Sequence, residues 1–414
     1  MEKLLILGNN YHVDCLIHQA KERNIYTIVA DYLPKSESPV KLLADESWDI
    51  SVTDYDALEE MAKKSGVTGV VCGAGELCMA TCRELSKRLG FPFYVPDKAW
   101  EITNDKQAFK KTCRKHGLPV AEDYLAEGDS LEDALQRIAY PVVVKPVDGC
   151  SSLGMHICQN EQELRFGYQD ALLHSPSKRV VVEKFCQGVQ IFLLIMFEDG
   201  EAQLIESIES MRSSTDSLPF IFGMVPSLQL EKYKNKLMQP LQALFRDLGC
   251  ESGAGSVQAI AGEDEITIIE MNYRLPGGRM SPLTQERLCL NVLRSVFPNV
   301  IGKVEEKKNI VNAKVYVIWL NPGRISKIDG IDEIMGRYAN LVVTSEKKLG
   351  DTILPNSGMR QIFGYMYVVE TEEGKEALWT FVETVNEYLV ILDENGNDMV
   401  RRYDYIDGQA VLRG

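Results

Sequence analysis

Alternation of strand and helix over the first ninety-odd residues constrains this chain more than any other feature. Lys3–Leu7 reads as an apolar strand ending at Gly8-Asn9-Asn10, followed by a helical stretch from about Val13 to Arg23. Ile25–Ala30 is the next strand, closed by Asp31. Val67–Cys72 is another, followed by Gly73-Ala74-Gly75 and a helix from Glu76 to Leu89. Strands joined by crossover helices run the same way, so this alternation calls for an open parallel sheet. The first turn lacks the Gly-x-Gly-x-x-Gly spacing of dinucleotide-binding sheets, and Asp31 alone is a common strand-end residue. A nicotinamide-dependent dehydrogenase therefore ranks below a doubly wound substrate domain.

A chain of 414 residues is too long for one typical domain, and two or three are expected. A helix from about Asp105 to His116 follows, with Thr103 or Asn104 as its cap. Phe109, Thr112, Cys113 and His116 share one face, and Gly117 with Pro119 supplies the stop. From Pro141 the texture changes to β-branched runs at 142–144, 180–182 and 266–269, separated by Gly-rich turns. A third region begins after about residue 304. It carries strands such as Lys314–Leu320 and one amphipathic helix whose inward stripe is Leu378, Phe381, Val382, Val385 and Leu389.

Charge narrows the partners. With 45 basic against 60 acidic residues, the formal charge of −15 repels phosphate backbones and anionic lipid, so neither nucleic acid nor a membrane surface is an expected partner. An anionic ligand would need the basic residues gathered in one pocket. The apolar run at the N-terminus is too short for a signal-peptide core, and Ile191–Phe197 is far too short to span a bilayer. The ten cysteines form no Cys-x-x-Cys pair. Cys72, Cys78 and Cys82 are the closest group and have no further ligands at metal-site spacing, so small buried hydrophobes in a reducing, cytoplasmic compartment are expected.

Four clusters carry chemistry. Lys145 closes the strand Pro141-Val-Val-Val-Lys-Pro, where its charge needs a partner or a cavity. Asp148-Gly149-Cys150-Ser151-Ser152-Leu153-Gly154 follows directly, a loop able to turn amides and hydroxyls toward an anion, although a plain hairpin turn explains it as well. Val180-Val-Val-Glu183-Lys184-Phe185-Cys186, then Gly188 and Gln190, is a strand running into a hinge; it could read a purine, or be a charged strand end. In Glu270-Met-Asn272-Tyr-Arg274-Leu-Pro-Gly277-Gly278-Arg279, alternation puts Glu270, Asn272 and Arg274 on one face. A carboxylate, an amide and a guanidinium together suit Mg²⁺ held by hard oxygens beside a neutralised anion. Gln258, twelve positions upstream, can face the same cavity. The last cluster is Asn104-Asp105-Lys106, where a cation at a helix N-terminus opposes the dipole.

In this order the clusters resemble the ATP-grasp superfamily, in the carboxylate–amine ligase branch that includes L-amino acid ligases and relatives of phosphoribosylglycinamide synthetase. The resemblance implies an α/β chain with an ATP-grasp fold, an N-terminal Rossmann-like preATP-grasp domain over 1–98, the grasp domain over 99–303 with a lid subdomain at about 118–182, and a C-terminal α+β domain over 304–414. It assigns Lys106 and Lys145 to the ATP phosphates and Gly149, Ser151, Ser152 and Gly154 to a mobile cover. Glu183 would take the adenine amine, with Lys184, Phe185 and Cys186 lining the base. Gln190 stands at a ribose-binding position where the family usually has Glu. Glu270 and Asn272 would hold Mg²⁺, with Gln258 in place of the family's other metal carboxylate. Arg274 would hold the transferring phosphoryl group or the substrate carboxylate. Glu76, Arg212 and Arg279 are further substrate candidates, with helix-end electrostatics an equal explanation for Glu76.

The activity so implied is amide formation through an acyl phosphate, with small-molecule carboxylate and amine substrates, release of ADP and phosphate, and a homodimer as a common assembly. Bicarbonate or a thiol as acceptor, and a catalytically weakened nucleotide-binding module suggested by Gln258 and Gln190, are the alternatives.

Overall fold

The computed structural model describes residues 1–125, 130–149, 153–213, 220–278, 280–304, 313–355, 357–369, 375–406 and 409–413. The chain divides into two compact units. The first comprises Met1–Gly188, Leu193–Ile205 and Glu231–Glu306; the second comprises Val189–Phe192, Glu206–Leu230 and Lys307–Gly414.

The first unit opens with the expected parallel sheet, in the order Glu46–Asp49, Tyr26–Asp31, Lys3–Leu7, Gly69–Cys72. Leu4 to Leu7 are all fully buried, which is why this strand reads as a continuous apolar run rather than an alternating one. The strand order reverses between Lys3–Leu7 and Gly69–Cys72, and such a switch point opens a crevice at the carboxyl ends of the strands. The turns Gly8-Asn9-Asn10 and Gly73-Ala74-Gly75 flank it, and helix Glu76–Leu89 starts there. Asp31 is committed to the interior instead. Its carboxylate accepts from Ser38 Oγ and the Leu33 amide, both at 2.6 Å, and lies 3.6 Å from the fully buried Lys41 ammonium. It has no role left as a ribose-binding acid.

The turns approach each other so closely that Gly73 has no room for a side chain. A methyl there overlaps the Tyr11 carbonyl oxygen and Asn10 Oδ1, and the Ala74 amide donates to that same carbonyl at 3.0 Å. Gly73→Ala is therefore expected to displace the backbone that leads into Glu76 and to destabilise the chain by about 1–3 kcal/mol. Urea unfolding checks it; a variant with an unchanged midpoint counts against the close approach.

Cys72, Cys78 and Cys82 pack into this region as buried thiols. Burial raises the Cys78 thiol to about 12, the behaviour of a neutral apolar side chain rather than a ligand or nucleophile.

Later in the first unit, Val142–Pro146 pairs antiparallel with His156–Cys158 on one side and Val180–Lys184 on the other. Its two faces differ. Val142, Val144, Val180 and Val182 pack with Leu164 and Ala171 of helix Glu161–His174. The opposite face carries Val143, Lys145, Val181 and Glu183. Gly253–Ala261 pairs antiparallel with Ile266–Asn272, with a bulge where Ile269 has no partner between Ile268↔Ala259 and Glu270↔Gln258. Bulges of this kind re-aim side chains next to binding sites.

In the second unit, residues 209–211 pair with Phe222–Val225, which pairs with Ala313–Trp319; Ile362–Val369 and Leu341–Ser345 follow. Backbone pairing of this kind is why 206–230 group with the C-terminal residues in this unit. Leu378, Phe381, Val382, Val385 and Leu389 are buried along helix Lys375–Tyr388 and the turn after it, the stripe read from the sequence. No helix among the described residues is long and apolar enough to cross a membrane.

Candidate nucleotide site

The site grows from the first turn of helix Lys106–Lys115. Asp105 caps this helix, accepting from the Gln107 and Ala108 amides at 2.9 Å each. This corrects the expectation of Thr103 or Asn104. Those two residues finish the preceding helix, Asp97–Thr103, by donating to the Ala99 and Trp100 carbonyls at 2.8 Å. With two helices abutting, only the residue nearest the second can serve its free amides.

Lys106 does not point into solvent from this helix end. Its ammonium donates to the Gly149 carbonyl at 2.7 Å and the Val147 carbonyl at 3.3 Å, tying the helix to the start of the Gly/Ser loop. Desolvation lowers its pKa, Lys145 adds to that, and Glu270, Glu183 and Asp148 oppose it. Thus three of the other sequence candidates, Lys145, Glu183 and Glu270, lie within electrostatic reach of Lys106. A pocket of about 120 Å³ lies among Glu76, Thr103, Asn104, Lys106, Phe109, Asp148, Gly149, Ile269, Glu270 and Asn272.

Asp148 is oriented from behind: Ser175 Oγ donates to it at 2.6 Å and the Ser177 amide at 2.9 Å. Burial acts to raise its pKa, but these hydrogen bonds prevail and lower it. Glu270 and Asn272, two apart on one strand, both line the pocket, and Gln258 sits directly opposite Glu270 across the ladder. Three hard-oxygen side chains thus lie on adjacent strands, a donor set that fits Mg²⁺ with one negative charge. Among the described residues no cluster of three or more His, Cys, Asp or Glu side chains is placed to hold a metal.

Arg274 is held at the edge of this site. Its Nε and Nη2 each lie 2.7 Å from Glu76 Oε1, and Nη1 donates to the Leu275 carbonyl at 2.9 Å. Glu76 is thereby the orienting partner of Arg274 as well as a pocket-lining residue, which helix-end electrostatics alone does not explain.

Glu183 departs from the sequence expectation. Rather than waiting at a strand end for an exocyclic amine, it is buried, and both oxygens are engaged: one by Lys145, the other by Lys110 at 2.8 Å. The cause is the pairing Val143↔Glu183, which puts Glu183 diagonally beside Lys145 on the polar face of the sheet. Burial acts to raise the Glu183 carboxyl, and the two lysines outweigh it, holding it at about 2. Lys110 was missed in the sequence, and its signal was spacing: Lys106, Lys110 and Arg114 recur every fourth residue and so share a helix face.

Lys184 is exposed, and Phe185 and Cys186 are half-buried where the chain leaves the sheet. Gln190 and Arg212 belong to the second unit, where Arg212 Nη2 donates to Gln190 Oε1 at 2.5 Å. Gly154 is described, with a positive φ of 69°. Cys150, Ser151, Ser152 and Arg279 lie outside the described residues.

Residues 105–296 match the family model for the carbamoyl-phosphate synthase L chain, ATP binding domain. The chain is 26% identical over 290 residues to the methylcrotonoyl-CoA carboxylase subunit alpha, mitochondrial, of Dictyostelium discoideum, covering 66% of this chain and 41% of that one. The chain thus spans about two-fifths of that relative's length. Among solved structures it resembles phosphoribosylglycinamide synthetase from Anaerococcus prevotii, with a TM-score of 0.73, 18% identity, and 95% of this chain and 100% of that one covered. It also resembles the L-amino acid ligase from Bacillus licheniformis, with a TM-score of 0.74, 17% identity, and coverage of 95% and 99%. At such identities these likenesses are ones of fold. The fold is the ATP-grasp fold. Residues 105–296 thus match an ATP-binding domain, within a chain whose fold is that of these ATP-grasp proteins.

Proposed function

We propose that this chain is an ATP-dependent ligase that activates a small-molecule carboxylate as an acyl phosphate and passes the acyl group to an amine. The observation that carries the reading is the convergence of Lys106, Gly149, Glu270 and Asn272 on one pocket, inside the segment that matches an ATP-binding domain. Relatives of the same fold include an L-amino acid ligase and a phosphoribosylglycinamide synthetase, which supports an amine acceptor. The domain organisation we propose is a preATP-grasp domain over 1–98, a grasp domain over 99–303 and a C-terminal domain over 304–414, in a cytoplasmic protein with a homodimer as its assembly.

Lys106 and Lys145 face the nucleotide phosphates in this reading, beside Gly149. Glu270, Asn272 and Gln258 hold Mg²⁺, which when bound neutralises charge on the phosphate oxygens. The substrate carboxylate attacks the γ-phosphorus, the bond to ADP breaks, and the amine then displaces phosphate from the acyl carbon. Arg274, oriented by Glu76, neutralises charge on the transferring group, so that positioning and electrostatics rather than covalent chemistry lower the barrier.

A second reading, a nucleotide-binding module without turnover, is favoured by Gln258 alone, which leaves the cation site with one carboxylate. Phosphate release from Mg-ATP, screened over a matrix of carboxylates paired with amines and with bicarbonate, separates the two. Release that requires one acid–amine pair is the expected result. ATP binding without release under any pair sinks the ligase reading in favour of the module.

A further inference from the structure

A chain of charges runs from the half-exposed Arg114 to Lys145, and the ligase reading uses only its last member. Arg114 Nη2 lies 2.6 Å from Asp123; Asp123 also pairs with Lys110; Lys110 pairs with Glu183 at 2.8 Å; and Glu183 pairs with Lys145. Lys110 and Glu183 are 3% exposed each, and Lys145 is 9% exposed. The geometry is enforced by backbone pairing. The Tyr124 amide donates to the Val182 carbonyl at 2.8 Å and the Lys184 amide to Glu122 at 2.9 Å, so that Asp123 lies alongside Glu183.

A lysine paired with one buried carboxylate makes a neutral unit, and a neutral unit offers little to a phosphate. Here the Glu183 carboxylate is shared between two ammonium groups, and the Asp123 carboxylate between Lys110 and Arg114. The surplus is one positive charge. Because Lys110 draws on both carboxylates, Glu183 only partly neutralises Lys145, whose charge is felt by Lys106 at the pocket.

We propose that Lys110 is a positioning residue for the nucleotide site, one that engages the second oxygen of Glu183 so that the charge of Lys145 remains available to an anionic ligand. This rests on the ATP reading above. It assigns Lys110 to electrostatics at a distance, since an ammonium held between Asp123 and Glu183 need not touch the nucleotide.

Charge logic gives a test that a purely structural role fails. Lys110→Met leaves Glu183 and Lys145 as a neutral pair. Glu183→Gln leaves Lys145 without its carboxylate and Lys110 with Asp123 alone. The double variant, Lys110→Met with Glu183→Gln, restores one surplus charge at Lys145, as in the wild type. The full chain and its variants are titrated calorimetrically with MgATP, MgADP and adenosine. Lys110→Met is expected to weaken MgATP and MgADP by on the order of ten-fold, a unit charge acting across several ångströms at intermediate dielectric, and to leave adenosine within about two-fold. The double variant is expected to recover most of the loss.

Equal weakening of adenosine, no recovery in the double variant, or no effect of Lys110→Met each overturns the proposal. If Lys110→Met does not fold, the double variant removes the buried pair as a unit and remains readable. Compared with Glu183→Gln alone it is then expected to bind MgATP more weakly, and equal affinity overturns the proposal. Failure of the wild type to bind any nucleotide overturns the ATP reading itself and this proposal with it. Wild-type binding with an indifferent Lys110→Met removes this proposal alone.

Discussion

Arg274→Ala is expected to lower kcat at saturating ATP by about 10²–10³-fold while leaving nucleotide affinity within about two-fold. The argument is geometric. Three of the guanidinium's N–H donors are committed to Glu76 and to the Leu275 carbonyl, so the group is fixed before any substrate arrives. A preorganised cation reduces the reorganisation needed as charge shifts, the usual source of a large effect on the chemical step. Lys106 and Lys145, by contrast, stand beside the loop and strand assigned to the nucleotide, and their loss falls on binding. Single-turnover rates with direct ATP titration check the division. A fully active Arg274→Ala enzyme removes Arg274 from the chemistry, and a large loss of ATP affinity moves it to the nucleotide. Glu76→Gln is expected to show a smaller loss of kcat, because the amide still accepts a hydrogen bond but no longer pairs with the charge.

Much of this arrangement is legible in the sequence because it depends on strands, whose period of two converts spacing directly into facing. Glu270, Asn272 and Arg274 are two apart, and the first two line one pocket with Arg274 at its edge. Gln258 is found by the same route, since a short hairpin fixes the register that sets it opposite Glu270. Less visible are features decided by packing between distant segments. Glu183 reads as an exposed strand end, yet residues 122–124 add beside its strand and close it off. Lys110 looks like one more charge on a polar helix until that same segment buries it. The helices Glu161–His174, Leu228–Leu248 and Pro282–Val296 escaped notice for a different reason. Attention to Gly-rich turns and β-branched runs draws the eye to strands, and Pro240 inside the second of these helices reads locally as a break.

Grouping of residues 206–230 with the C-terminal segment also lies beyond local reading. Strand Phe222–Val225 is short, and nothing in its own sequence says that its partner is Ala313–Trp319, nearly a hundred positions later. Long-range pairing of this kind is settled by which unsatisfied edges meet, not by local preference.

Glu270→Gln is expected to remove Mg²⁺-dependent turnover almost entirely, by about 10³-fold or more, because it deletes the one carboxylate in the set Gln258, Glu270 and Asn272. Its counterpart, Gln258→Glu, adds a carboxylate directly opposite the first. Two consequences of opposite sign follow from that single change. Without metal, like charges facing each other across an antiparallel pair destabilise the hairpin, and a fall in thermal midpoint in EDTA is expected. With Mg²⁺, the added charge tightens the cation by on the order of ten-fold and reverses the fall, since a ligand bound only by the folded state stabilises it. Melting curves with and without Mg²⁺ on the wild type and both variants read out the site with no assay of activity. A Gln258→Glu midpoint that drops in EDTA and recovers in Mg²⁺, beside a Glu270→Gln midpoint indifferent to the metal, identifies these residues as the cation ligands. Equal Mg²⁺ responses in all three proteins would place the cation elsewhere and leave Glu270 as a charge partner of Lys106.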